Sequence, residues 1–204
     1  MGEPGRERDE RTEADGRWDR VAVVGSPGSG KTTLARRLAA EHGLRHVELD
    51  SVFFQPGTWE PRPTAEFRDE VARAVAEPRW VMDGNYRVAR DLIWPRATTV
   101  VWLDYSLTVC FTRLLRRTIR RCWTREVLPH GARETWRTSF ASGDSILLYL
   151  LRMHAVRRQK TAEALALPEF AGIDIVRVAR PSAVEASLRG HLNEPELPEV
   201  VVER

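Results

Sequence analysis

The stretch of sequence that decides the fold is Gly25-Ser26-Pro27-Gly28-Ser29-Gly30-Lys31-Thr32. It matches GxxxxGK[ST], the phosphate loop (P-loop) or Walker A motif. The glycines permit backbone angles that turn successive N–H groups toward phosphate oxygens. Lys31 brings a positive charge to the β- and γ-phosphates, and the Thr32 hydroxyl ligates Mg²⁺. We therefore predict that this loop, together with Thr33, binds a nucleoside triphosphate, ATP, with Mg²⁺.

The flanking residues favour this interpretation over a glycine-rich turn that matches by chance. A chance match is expected in roughly one in a hundred chains of this size. The apolar run Val21-Ala22-Val23-Val24 leads into the loop and is typical of a strand buried on both faces. A predicted helix over 32–42 follows the loop, and the positive end of the helix dipole favours a bound phosphate.

Strands and helices alternate along the rest of the chain. Further strands are predicted at 46–49, 80–82, 99–103 and 173–178, with helices at 64–76, 88–94, 107–119 and 144–166. This alternation indicates an α/β domain with a mostly parallel sheet. The predicted fold class is the three-layer P-loop NTPase fold, with five strands in the order 2-3-1-4-5 and a short helical lid. We expect a disordered tail over 1–17, the domain over 18–190 and a loose tail over 191–204.

Composition limits the function classes. The chain has 204 residues, 42% of them hydrophobic, and a formal net charge of only +3, which by itself does not indicate a nucleic-acid-binding protein. The N-terminal segment has no apolar core of a signal peptide, and no run approaches 18 apolar residues. We therefore expect a cytoplasmic protein that does not span a membrane.

Three acids each follow a predicted strand: Asp50, Asp83 and Asp104. Because the carboxyl ends of parallel strands meet at one edge of a sheet, these acids should converge on the P-loop. Asp50 is the best candidate for holding or activating an acceptor hydroxyl. The alternative is a cap on the loop that follows it. For Asp104 we expect a helix-capping or supporting role.

Arginines crowd one predicted helix: Arg113, Arg116, Arg117, Arg120 and Arg121. Guanidinium groups suit phosphate oxygens, although basic residues also complement a helix C-terminus while remaining solvated. Residues 121–137 would then form a basic lid that excludes water from the site. A second basic group consists of Arg152, Arg157 and Arg158, and the sequence is compatible both with phosphate binding and with a solvated face.

The segment Asp83-Gly84-Asn85-Tyr86-Arg87 resembles the Asp-Gly-Phe-Pro-Arg segment of adenylate kinase-like small P-loop kinases. The resemblance implies that Asp83 orders Mg²⁺ and its waters and that Arg87 contacts the phosphate of the acceptor. It also implies that Arg113 stacks on adenine and that Arg117 holds the phosphates. We further expect Arg121 to bind substrate. The P-loop, Leu49-Asp50 and Asp-Gly-Asn-Tyr together are similar to bacterial proteins named for DNA topology modulation, over about residues 20–190.

Three functions compete. The leading hypothesis is an ATP-dependent kinase that transfers the γ-phosphoryl to a small acceptor, such as a nucleotide or nucleoside. Its catalytic residues would be Lys31, Asp50, Asp83 and Arg117, with Thr32 and Asp83 as metal ligands and Asp50, Arg87 and Arg121 as acceptor-binding residues. The second hypothesis is a nucleotide-binding regulator that contacts nucleic acid. The third is a plain ATPase, against which the lack of a glutamate next to Asp83 argues.

Overall fold

The computed structural model describes residues 16–140, 142–143 and 145–189. The predicted tails lie almost wholly outside these residues. Near the predicted start of the domain, Arg17 forms an ion pair with Asp174. The domain division therefore remains a prediction for the terminal segments.

Five parallel strands form one sheet in the order β2-β3-β1-β4-β5. The strand bounds are β1 Arg20–Gly25, β2 Arg45–Glu48, β3 Trp80–Asp83, β4 Thr99–Leu103 and β5 Asp174–Val178. The order and the parallel direction confirm the predicted fold class. β1 lies at the centre, and Gly25 at its carboxyl end is in register with Leu103 of β4.

Helices cover both faces of the sheet. The α-helices are α1 Lys31–His42, α2 Leu49–Phe53, α3 Thr64–Val75, α4 Arg90–Ile93, α5 Leu107–Thr124, α6 Trp136–Phe140, α7 Ile146–Leu165 and α8 Val184–Leu188. Short 3₁₀ turns occur at Arg87–Ala89, Trp94–Arg96, Pro168–Phe170 and Pro181–Ala183. Within the described part of the chain, none of these helices is long and apolar enough to cross a membrane.

Alternation along β1 divides the core into two layers, because successive side chains of a strand point to opposite faces. Ala22 and Val24 belong to the layer that contains Phe67 of α3. Val21 and Val23 belong to the other layer, which buries residues of α1, α5 and the first half of α7. β1 is thus buried on both faces, and its carboxyl end carries the P-loop at the middle of the sheet edge.

Among the element bounds that differ from the prediction, two affect the position of candidate site residues. β2 ends at Glu48, so Leu49 and Asp50 lie in the first turn of helix α2 rather than at the end of a strand and in a loop. Helix α5 continues to Thr124, five residues beyond 119, and ends where Arg125 adopts a left-handed conformation. The five clustered arginines all lie on this one helix, and the loop of the predicted lid (the lid loop) begins only at Arg125.

Candidate functional site

The P-loop joins β1 to α1 with the backbone geometry that its glycines permit. Gly28 and Gly30 have φ angles of 80° and 94°, which residues other than glycine rarely adopt. Gly30 is the N-cap of α1, so the unpaired N–H groups of the first helical turn lie at the end of the loop. An anion placed there meets both these donors and the positive end of the helix dipole.

Gly28 also permits a close approach between the P-loop and helix α5. A Cβ at this position would lie 2.2 Å from the carbonyl oxygen of Cys110, a distance that backbone atoms cannot accommodate without a shift. The loop therefore packs directly on the helix that carries the clustered arginines. A side chain at position 28 would separate these two parts of the site.

We expect Gly28→Ala to destabilise the protein by at least about 2 kcal/mol, because it combines an unfavourable φ with a clash against backbone. Gly43→Ala is the matched control: its φ is 63°, but no atom lies within 4 Å of the added Cβ. Thermal unfolding should show a larger fall in Tm for Gly28→Ala than for Gly43→Ala. Equal falls in Tm would contradict the close approach.

Lys31 extends back over the loop. Its Nζ donates a hydrogen bond to the carbonyl oxygen of Ser26 at 3.1 Å. Burial lowers the pKa of Lys31, whereas the carboxylates of Asp50 and Asp83 raise it. The guanidinium groups of Arg117 and Arg157 lower it further, so acids and bases from separate elements surround this ammonium group.

Asp83 ends β3 beside the P-loop, with only 3% of its surface exposed. The Thr32 hydroxyl donates to its Oδ2 at 2.6 Å, and the Nε2 atom of His46 lies 2.7 Å from its Oδ1. A carboxylate and a hydroxyl at this distance are the hard oxygen donors that suit Mg²⁺. The two predicted metal-binding residues therefore lie together, in an arrangement that fits this ion.

An aromatic residue holds the carboxylate of Asp50 in place. The hydroxyl of Tyr86 donates to its Oδ1 at 2.6 Å. Burial and the neighbouring Asp50 carboxylate raise the pKa of Tyr86, so the phenol stays protonated and remains a donor. Gly84 permits this arrangement, because a Cβ there would lie 2.8 Å from the Cβ of Leu49.

The predicted convergence of acids is present, but Asp104 has a different environment. Its carboxylate, which is 1% exposed, accepts hydrogen bonds from Arg158 of α7 and Arg177 of β5. The N-cap of α5 is Ser106, so Asp104 is not a helix cap as one expectation had it. It supports the sheet edge by joining α7 to β5.

Four of the five clustered arginines divide into two groups, and the fifth, Arg116, is exposed. Arg113 donates to the carbonyl oxygen of Ser29 at 3.4 Å and lies over the ring of Tyr105. Burial lowers the pKa of Arg117, and its Nε has no hydrogen-bond partner among the described residues. In contrast, Arg120 pairs with Glu126 and Arg121 pairs with Glu134. The first group faces the P-loop, whereas acids of the lid loop engage the second.

The remaining basic residues also differ in their surroundings. Arg157 donates to the carbonyl oxygen of Asn85 at 2.7 Å and lies close enough to lower the pKa of Lys31. Arg158 is engaged by Asp104, and Arg87 and Arg152 are exposed. Of the three arginines left open on α7, Arg157 and Arg158 line a cavity with Gly25 and Ser26 of the P-loop, whereas Arg152 is exposed.

Sequence reasoning assigned no role to three side chains that contact the site. His46 touches Asp83, Tyr86 holds Asp50, and His154 of α7 places its Nδ1 3.0 Å from the hydroxyl of Ser26. The position of Tyr86 within the Asp-Gly-Asn-Tyr segment was a signal. The two histidines offered none, because their partners are distant in sequence.

Comparison with known proteins shows that parts of this chain are similar to kinases. Residues 21–99 match the model of a family described as an AAA domain. A cytidylate kinase from Rhodopseudomonas palustris is 45% identical over 56 residues, which cover 28% of this chain and 26% of that protein. A shikimate kinase from Nitrobacter winogradskyi is 31% identical over 114 residues, which cover 49% of this chain and 53% of that protein.

The chain thus spans about a quarter of that cytidylate kinase and about half of that shikimate kinase. Among solved structures, a shikimate kinase from Acinetobacter baumannii in complex with shikimate aligns with a TM-score of 0.49. Its sequence is 16% identical, and the alignment covers 87% of this chain and 93% of that one. The relatives named here are kinases.

Proposed function

We propose that this protein is an ATP- and Mg²⁺-dependent phosphotransferase that moves the γ-phosphoryl group to a hydroxyl of a small acceptor. The observation that carries the proposal is the position of Asp50. Its carboxylate is close enough to Lys31 to raise the pKa of that ammonium group, and Tyr86 holds it in place. A carboxylate beside a P-loop lysine suits the deprotonation of an acceptor hydroxyl. Similarity to cytidylate and shikimate kinases supports the same class of reaction.

On the donor side, the proposed phosphate contacts are the backbone N–H groups of the P-loop and of Thr33, together with the Lys31 ammonium group. Arg113 lies across the carbonyl of Ser29 and is proposed to stack on the adenine. Thr32 and Asp83 would hold Mg²⁺, which supplies charge neutralisation to the phosphates when it is bound. His46 would keep the Asp83 carboxylate oriented toward the hydroxyl of Thr32.

Arginines provide the proposed stabilisation of the negative charge that develops on the transferring group. Arg117 is the main candidate, because its guanidinium is buried beside Lys31 and has a free Nε donor among the described residues. Preorganised donors of this kind stabilise a transition state without reorganisation at the moment of reaction. Arg87 and Arg121 are proposed to contact the acceptor, and Arg121 would do so while paired with Glu134.

We further propose that this protein is related to adenylate kinases and to the bacterial proteins named for DNA topology modulation. The proposal rests on the segments Leu49-Asp50 and Asp83-Gly84-Asn85-Tyr86-Arg87. We also propose that the protein acts in the cytoplasm.

The test is a screen of candidate acceptors with ATP and Mg²⁺, in which ADP release is measured by a coupled assay. We expect ADP release to require both Mg²⁺ and an acceptor, and the phosphorylated acceptor to be detected by mass spectrometry. ADP release at the same rate with and without every acceptor would identify a plain ATPase and contradict the proposal.

The nucleic-acid-binding regulator finds less support. Two of the five clustered arginines pair with acids of the lid loop, which leaves fewer guanidinium groups for phosphates of a duplex. A regulator of this kind should retard DNA in a gel shift, and the retardation should weaken steeply as salt rises. Such retardation, together with no phosphotransfer, would favour the regulator instead.

A further inference from the structure

One face of helix α7 contacts the carboxyl edge of the sheet. Its polar residues follow the spacing i, i+3, i+4 and i+7, which places them on one side of a helix: His154, Arg157, Arg158 and Thr161. Their side chains contact the P-loop at Ser26, the loop after β3 at Asn85 and the segment after β4 at Asp104. This face of α7 is therefore part of the site and holds three of its loops.

The contact with the P-loop is made by His154. Its ring Nδ1 lies 3.0 Å from the hydroxyl oxygen of Ser26, and the residue is 9% exposed. Burial and the charge of Arg158 lower the pKa of His154, whereas Asp104 raises it, and the imidazole is neutral near pH 7. A neutral ring nitrogen donates or accepts according to its tautomer, and a serine hydroxyl can satisfy either. The hydrogen bond thus fixes the hydroxyl of Ser26 against α7.

Ser26 is also the residue at which other polar groups of the P-loop meet. Its carbonyl oxygen accepts hydrogen bonds from the Nζ of Lys31 at 3.1 Å and from the backbone N–H of Ser29 at 3.2 Å. A displacement of Ser26 would therefore move the Lys31 ammonium group and the turn that ends at Ser29. A contact that holds Ser26 from outside the loop holds both of them.

The hydroxyl of Ser26 benefits from a partner outside its own loop. Serine hydroxyls readily bond backbone N–H groups that are close to them in sequence. In a P-loop, those N–H groups are the donors that phosphate oxygens use. Because His154 engages the Ser26 hydroxyl, that hydroxyl does not compete with a phosphate for these donors.

We propose that His154 is a positioning residue for the phosphate donor, which fixes Ser26 and thereby keeps the P-loop in its phosphate-binding conformation. His154 acts through Ser26 and does not itself touch the nucleotide. The inference rests on the proposed ATP site, but not on transfer of the phosphoryl group to an acceptor. It assigns a role to a side chain of α7 that belongs to no motif.

The experiment measures the binding of mant-ATP, a fluorescent ATP analogue, with Mg²⁺ and without an acceptor. Asparagine carries its amide atoms on Cγ, as histidine carries Nδ1, so His154→Asn keeps a hydrogen-bonding atom in place. His154→Gln moves that atom one bond further out, and His154→Leu removes it. Ser26→Ala removes the other partner. Gln159→Leu is the matched control, because it removes a hydrogen bond to Glu163 on the exposed face of α7.

The dissociation constant of mant-ATP should rise about tenfold in His154→Leu, the effect of one lost hydrogen bond. His154→Gln should show a similar loss, and His154→Asn should stay within about threefold of wild type. The double variant with His154→Leu and Ser26→Ala should lose about tenfold rather than about a hundredfold, because both substitutions remove the same contact. Gln159→Leu should bind as wild type, and thermal unfolding shows whether each variant is folded.

Unchanged affinity in a folded His154→Leu protein, or a loss of about a hundredfold in the double variant, would contradict the positioning role. If His154→Leu does not fold, His154→Asn and His154→Gln decide the question, and equal affinities of these two would overturn the inference. A wild-type protein that does not bind mant-ATP would refute the ATP site and the inference together. If the expected differences in binding are found but no acceptor is phosphorylated, only the proposed phosphotransfer fails.

Discussion

We expect Lys31→Ala to lower the rate of phosphotransfer by at least about 10³-fold while the protein remains folded. Lys31 is partly buried among Asp50, Asp83 and two guanidinium groups, so its ammonium charge is held at a fixed place that is partly shielded from water. A charge fixed in such surroundings stabilises developing negative charge far more than one in bulk water. Arg157 cannot replace it, because its guanidinium donates to the carbonyl oxygen of Asn85.

The chain offers a matched control, because it contains one other lysine, Lys160, which is exposed on α7. Lys160→Ala should leave the rate of ADP release within about twofold, in keeping with a surface substitution. Thermal unfolding of both variants separates lost chemistry from lost structure. Full phosphotransfer by a folded Lys31→Ala protein would show that the P-loop is not the donor site.

Much of the fold could be predicted because its signals are local. An apolar run, a glycine-rich turn and an amphipathic helix follow one another between Val21 and His42, and each predicts its own element. The strand order is less local, and the P-loop motif supplied it by resemblance. The bounds of the elements were harder to predict. The apolar Leu49 continues the pattern of a strand, but it is the first residue of a helix, and its side chain packs against Gly84.

The candidate site was predictable only where its residues follow a strand or belong to a motif. Asp50 and Asp83 were found in this way, because the sheet brings the carboxyl ends of its strands together. The contacts of His46 and His154 depend on which atoms meet after folding, across 37 and 128 residues of sequence. The ion pairs of the clustered arginines could not be predicted either, because no sequence spacing indicated that Arg121 pairs with Glu134.

The second large effect is expected at Asp50. We expect Asp50→Asn to lower kcat for phosphotransfer by about 10²- to 10⁴-fold, the range that a positioned general base contributes. The amide oxygen can still accept the hydrogen bond from Tyr86, so the side chain should keep its place and lose only its charge and basicity. Asp69→Asn, an exposed position on α3, is the matched control and should retain full activity.

The Asp50→Asn protein also distinguishes a kinase from an ATPase. In a kinase, Asp50 serves the acceptor, so the variant should still bind ATP, and any slow hydrolysis of ATP without acceptor should persist. In an ATPase, the same carboxylate would act on water, and hydrolysis without acceptor should fall with it. Titration of the variant with a fluorescent ATP analogue measures its affinity for the phosphate donor separately. This control is needed because Asp50 also acts on the pKa of Lys31. Loss of acceptor-independent hydrolysis, with ATP binding intact, would therefore assign Asp50 to water and contradict the kinase.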